Sequence, residues 1–154
     1  MIKLKKILVP TDFSDYSMHA LQYGLSFCRE FNAELILLHV IEDPFYPSNG
    51  ATFGFNIEEF FRQMEEESSK RMLEMVPPEI EKEIPVERIG IRGTPFLEII
   101  RLAKERDVDM VVLSTHGRSG LAHVLMGSVT EKVVRKAPCP VLVVRRSQHE
   151  FIMP

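Results

Sequence analysis

Short, nearly unbroken apolar runs, each followed by a segment of helical periodicity, are what most narrow the folds open to this chain. Ile7-Leu8-Val9 runs up to Pro10, Glu34 to Ile41 carries Leu35, Ile36, Leu37, Leu38, Val40 and Ile41, and Met110 to Leu113 and Val141 to Val144 contain no polar residue. A strand with one wet face alternates polar and apolar residues. A run without alternation is buried on both faces, which is the condition of a parallel sheet covered by helices. Val86-Glu87-Arg88-Ile89-Gly90-Ile91 does alternate, which places it nearer an edge.

Between these runs the apolar period changes to that of a helix. Ser14 is an N-cap ahead of Met18, Leu21, Leu25 and Cys28, and the pattern continues to Phe31. From Ile57 to Met75 one face holds Ile57, Phe60, Phe61, Met64, Met72 and Met75, the other face pairs Glu66 with Lys70 and Glu67 with Arg71, and Pro77-Pro78 ends the helix. Thr94-Pro95 opens a third helix that runs to Arg106, and Ser128 to Lys136 forms a fourth. Alternation of this kind predicts an α/β fold: a single doubly wound five-stranded parallel sheet of order 3-2-1-4-5 with helices on both faces. It occupies residues 1–146, with a frayed tail over 147–154. A Pro-, Gly- and aromatic-rich loop from Pro44 to Phe55 either covers a ligand or packs on a neighbouring subunit.

The formal net charge of −3 comes from scattered residues. No basic stripe offers itself to nucleic acid, and no polybasic cluster or long apolar stretch to a membrane. Cys28 and Cys139 sit in unrelated contexts, the second between two prolines, with neither CxxC nor His/Cys spacing for metal. Met1 to Lys6 runs directly into the first strand without a secretory apolar region, so a cytoplasmic location is expected.

In a sheet of order 3-2-1-4-5, ligands bind beyond the carboxyl ends of the strands where the winding reverses, between the first and fourth strands. The loops there are Pro10 to Ser14 and Ser114 to Ser128. Gly127 before a helix lets an anion approach unpartnered backbone N–H groups at the positive end of the helix dipole. Ser128-Val129-Thr130-Glu131 also reads as a capping box, which would satisfy those groups internally. Asp12 is placed to accept hydrogen bonds from ribose hydroxyls, or alternatively to close an Asx turn. No G-x-G-x-x-G follows the first strand and no Gly-Lys-Ser/Thr occurs, which disfavours an NAD enzyme or a P-loop NTPase.

Taken together these stretches resemble the universal stress proteins over essentially the whole chain. Ile7-Leu8-Val9-Pro10-Thr11-Asp12-Phe13-Ser14 is similar to the family's opening strand and turn, His39-Val40 to the end of its second strand, and Gly117 to Val129 to its nucleotide loop. ATP-binding members carry Gly, two residues, Gly, nine residues, then Gly-Ser or Gly-Thr. Here Gly117 and Gly127-Ser128 match, while Ser114 stands where the first glycine would be.

The resemblance implies ATP or another adenine nucleotide, with Mg2+ or Mn2+ bridging its phosphates. It implies Pro10, Thr11 and Asp12 on the ribose side, the backbone of Val40 at adenine, and Leu113 and Ser114 flanking the nucleoside. Gly117, Gly127, Ser128 and Val129 would hold phosphates, and His116 and Arg118 either reach them or stay solvated. It also implies a homodimer through Val141 to Val144, for which an unpaired apolar edge is the independent reason. The expected function is a nucleotide-dependent stress-response dimer with weak hydrolysis at most. Two readings stand beside it: a nucleotidyl transferase or phosphohydrolase using His116 and Arg118, and a dimeric interaction module that binds no nucleotide.

Overall fold

The apolar runs become strands at the centre of the molecule because nothing in them needs water. In the computed structural model, which describes residues 1–43, 56–117 and 126–145, Ile7, Leu8, Val9, Leu35, Ile36, Leu37, Leu38, Val111 and Val112 are all completely or almost completely buried. Each such side chain contributes roughly 1.5–3 kcal/mol by leaving water.

The elements follow one another as β1 (Lys6–Thr11), α1 (Asp15–Phe31), β2 (Glu34–Ile41), α2 (Ile57–Met75), α3 (Pro78–Glu81), β3 (Val86–Arg92), α4 (Pro95–Glu105), β4 (Met110–Ser114), α5 (Ser128–Lys136) and β5 (Val141–Val144). The five strands form one parallel sheet in the order β3-β2-β1-β4-β5. This is the expected topology. Along each strand the side chains alternate between two cores. Ile7, Val9, Leu35 and Leu37 meet α1 and α2 through Ala20, Leu21, Cys28, Met72 and Met75. Leu8, Ile36, Leu38, Val111 and Leu113 meet α4 and α5 through Ile99, Leu102 and Val133.

Two details differ from the sequence reading. β1 runs through Pro10 to Thr11 instead of stopping at the proline: Pro10 lies opposite Leu38 and Thr11 opposite His39. The registered pairing with β4 covers only Ile7 with Met110 and Leu8 with Val111, so the missing N–H of Pro10 falls where that ladder has already lapsed. After Pro77-Pro78 ends α2, the same prolines start the single turn α3, Pro78 taking the first helical position where no N–H is needed. The aromatic loop and the C-terminal tail lie outside the described residues.

The lapse of pairing beyond Leu8 matters most for function. β1 stays bonded to β2 as far as Thr11 while it parts from β4, so the sheet splits toward the carboxyl ends of these two strands. The loops that leave β1 and β4 flank that split.

Candidate functional site

The β1–α1 turn is held by its own short polar side chains. Asp12 Oδ1 accepts from the Ser14 N–H at 3.0 Å and from the Ser14 hydroxyl at 2.6 Å, closing an Asx turn. Ser14 in turn accepts from the Ser17 N–H at 3.2 Å and caps α1. Thr11 is buried, its Oγ1 accepting from the Phe13 N–H and lying 3.0 Å from the Ser17 hydroxyl, so its side chain is committed to the turn. Phe13 has φ 64, a left-handed conformation that costs a non-glycine residue on the order of 1–2 kcal/mol. The cost is met by packing: the ring lies 4.3 Å from that of His39, and the Arg71 guanidinium sits 4.1 Å above it. His39 is itself buried, with Nδ1 2.8 Å from the Thr11 carbonyl oxygen.

Across the split, the end of β4 and the start of α5 are stitched to each other. The Ser114 hydroxyl donates to the His116 carbonyl at 2.7 Å, and the Thr130 hydroxyl donates to the Ser114 carbonyl at 2.7 Å. The Gly127 N–H donates to the Thr115 carbonyl at 2.6 Å. His116 lies with Nδ1 3.0 Å from Thr115 Oγ1 and its ring 5.8 Å from that of Tyr16. These bonds fix the start of α5 against the end of β4.

The α5 start itself is open. Its N-cap is Gly127 (φ −66°, ψ 155°), no side chain among the described residues caps it, and Ser128 is already the first helical residue. The capping box read from Ser128 to Glu131 does not form. Because the helix begins one residue earlier than that pattern needs, Ser128 has helical geometry, and Glu131 pairs with Arg135 at 2.9 Å. A Cβ at Gly127 would lie 3.3 Å from the Thr115 carbonyl oxygen, and one at Gly117 would lie 2.5 Å from Asp12 Oδ2. Gly117 therefore presses the second loop directly onto the carboxylate of the first, a contact that any side chain would displace.

The structure brings Asp12, Ser114, His116, Gly117, Gly127 and the exposed Ser128 to this split. Pro10 and Thr11 lie at its β1 wall. Leu113 is buried in the core beneath α4 and α5, and Val40 and Val129 are half-buried against it. Arg118 lies outside the described residues. Two participants were not singled out in the sequence, Thr115 and Thr130; the signal for Thr130 was a polar residue on the apolar face of α5, where it is buried. Burial, with Glu34 adding to it, pushes the Cys28 thiol up to about 12, and burial followed by Asp109 raises Cys139, so the thiolate is disfavoured at both. Among the described residues no three His, Cys, Asp or Glu side chains gather to hold a metal, and no helix is long and apolar enough to cross a membrane.

The sequence pattern of the Universal stress protein family matches residues 3–145. The chain belongs to that family. Universal stress protein MJ0577 of Methanocaldococcus jannaschii is 36% identical over 157 aligned residues, covering 94% of this chain and 97% of the relative. Its solved structure superposes with a TM-score of 0.73 at 34% identity, covering 96% of this chain and all of the other. A universal stress protein solved in complex with cAMP (TM-score 0.61, 24% identity, 94% of this chain and 98% of that one) shares the fold. So does the universal stress protein of Archaeoglobus fulgidus in complex with dAMP (TM-score 0.60, 22% identity, 93% and 98%).

Proposed function

We propose that this universal stress protein binds an adenine nucleotide, ATP foremost, in the split between β1 and β4 and works as a nucleotide-dependent regulator. The observation that carries the reading is the open start of α5. Ser14 caps α1 and Asn56 caps α2, while Pro78 and Pro95 remove an N–H at the start of α3 and α4. α5 has neither device, and it begins at a glycine where a phosphate can approach the backbone. The cAMP and dAMP complexes of two proteins of this fold support adenine as the shared feature of the ligand.

In this reading the N–H groups of Ser128 and Val129, with that of Gly117, receive the phosphates and the Ser128 hydroxyl assists. Asp12, oriented by Ser14, accepts from the ribose with Pro10 and Thr11 behind it. The backbone of Val40 meets adenine, and Leu113 and Ser114 flank the nucleoside. A magnesium or manganese ion arriving with the nucleotide would neutralise the phosphates. Among the described residues β5 is the edge of the sheet, bonded only to β4, and its apolar row Val141 to Val144 supports pairing with a second copy. Light scattering that reports only a monomer at micromolar concentration removes the dimer.

The deciding test is titration calorimetry of the purified chain with MgATP, together with mass spectrometry of any nucleotide retained through purification. Micromolar affinity, about −8 kcal/mol, is expected. No heat and no retained nucleotide would leave an interaction module with an empty crevice. Rapid phosphate release abolished by His116→Ala would instead favour the enzyme reading.

A further inference from the structure

β4 ends at Ser114, whose hydroxyl donates to the His116 carbonyl at 2.7 Å. A trans peptide is planar, so its C=O and the following N–H point in opposite directions. Fixing the His116 oxygen therefore fixes the direction of the Gly117 N–H, which has no acceptor among the described residues. The same residue is tied to the helix on the other side, because its carbonyl accepts from the Thr130 hydroxyl at 2.7 Å. Ser114 thus sets the aim of one amide relative to the open amides of α5.

We propose that Ser114 is a positioning residue for the phosphate site, its hydroxyl holding the 116–117 peptide so that the Gly117 N–H faces the incoming phosphate. The inference rests on the nucleotide reading. Ser114 does not have positive φ, so a glycine would relieve no strain at this position, and it would supply no donor to the His116 carbonyl.

The test uses the whole chain as wild type, Ser114→Ala, Ser114→Gly and Ser114→Thr, titrated with MgATP and separately with adenosine, which has no phosphate. Losing one oriented donor is expected to weaken ATP about fivefold in the Ala and Gly variants. Adenosine affinity, which Ser114 meets only as a flank of the nucleoside, falls by less than ATP affinity does, and the Thr variant, which keeps the hydroxyl, recovers ATP affinity. Urea unfolding of each variant is measured alongside. A parallel loss of ATP and adenosine affinity that tracks stability would mean a structural role and overturn the proposal, as would a Gly variant that binds ATP as tightly as wild type or a Thr variant that fails to rescue. Wild type that binds neither compound overturns the nucleotide reading and this inference together; wild type that binds while all variants match it overturns this inference alone.

Discussion

α1 and α5 leave adjacent strands at the same end of the sheet, and their starts are built in opposite ways. At α1 every device is closed inward: the Ser14 hydroxyl accepts from Ser17 N–H, Asp12 accepts twice from Ser14, and the Thr11 hydroxyl is used by Phe13 and Ser17. At α5 the bonds tie the loop to the sheet, through Gly127 to Thr115 and Thr130 to Ser114, and among the described residues no side chain turns back onto the first amides. A closed helix start contributes stability and holds a side chain such as Asp12 still. An open one leaves a positive dipole end available to an anion. The two starts divide the work of one crevice between positioning and binding.

The largest test of that division is Gly127→Val. A side chain there crowds the Thr115 carbonyl oxygen and stands between the α5 amides and any phosphate. Losing charge-assisted hydrogen bonds worth about 2 kcal/mol predicts an ATP affinity lowered about 30-fold by calorimetry, in a protein whose circular dichroism spectrum keeps its α/β shape. Unchanged affinity would place the phosphates elsewhere and break the comparison.

A smaller effect is expected at the closed start. Asp12→Asn keeps an oxygen that can accept from Ser14 but removes the charge that the ribose hydroxyls meet. We expect ATP to weaken about tenfold, the equivalent of one strong hydrogen bond. The preference for ATP over 2′,3′-dideoxy-ATP, which has no ribose hydroxyls to donate, should shrink in the variant. If the preference is the same with Asp or Asn, Asp12 serves only its turn.

Ser14→Ala asks whether the closed start is a stabilising device. It removes the N-cap bond to Ser17 and the hydroxyl that holds Asp12, and should cost about 1 kcal/mol in urea unfolding. A stability equal to wild type would mean that water caps α1 as well as Ser14 does.

How much of this could be read from the residues differs between the two starts. The sheet order and both cores were legible because unbroken apolar runs such as Leu35 to Leu38 admit only a strand covered on both faces. The cap at Ser14 was legible because it is local chemistry. At α5 the pattern misled: Ser128 and Glu131 fit the capping box by spacing better than any pair near Ser14, yet the helix begins one residue early and the box does not close. A helical period fixes which face is buried but not the first residue of the helix, and capping turns on that residue. The contact of Gly117 with Asp12 was out of reach for a different reason. It joins residues 105 positions apart in the chain, and only the parting of β1 from β4 brings them together. What the serine in place of a motif glycine does was out of reach as well. Its hydrogen bond to His116 depends on loop geometry that no spacing encodes.

Ser128→Ala carries the smallest effect and the sharpest contrast. If Ser128 were the cap that its sequence context suggests, losing its hydroxyl would cost about as much stability as Ser14→Ala, roughly 1 kcal/mol. In the geometry found here it is an exposed first helical residue whose side chain caps nothing, so unfolding in urea should shift by less than about 0.5 kcal/mol, the ordinary range for a surface substitution. Its hydroxyl is left for a ligand, and ATP should weaken by about two- to threefold, within the range of a single exposed neutral hydrogen bond. Two serines at the heads of neighbouring helices would then respond in opposite senses, one in stability and the other in affinity. Equal losses of stability at both would show that α5 is closed in solution, and the phosphate site would lose the amides it depends on.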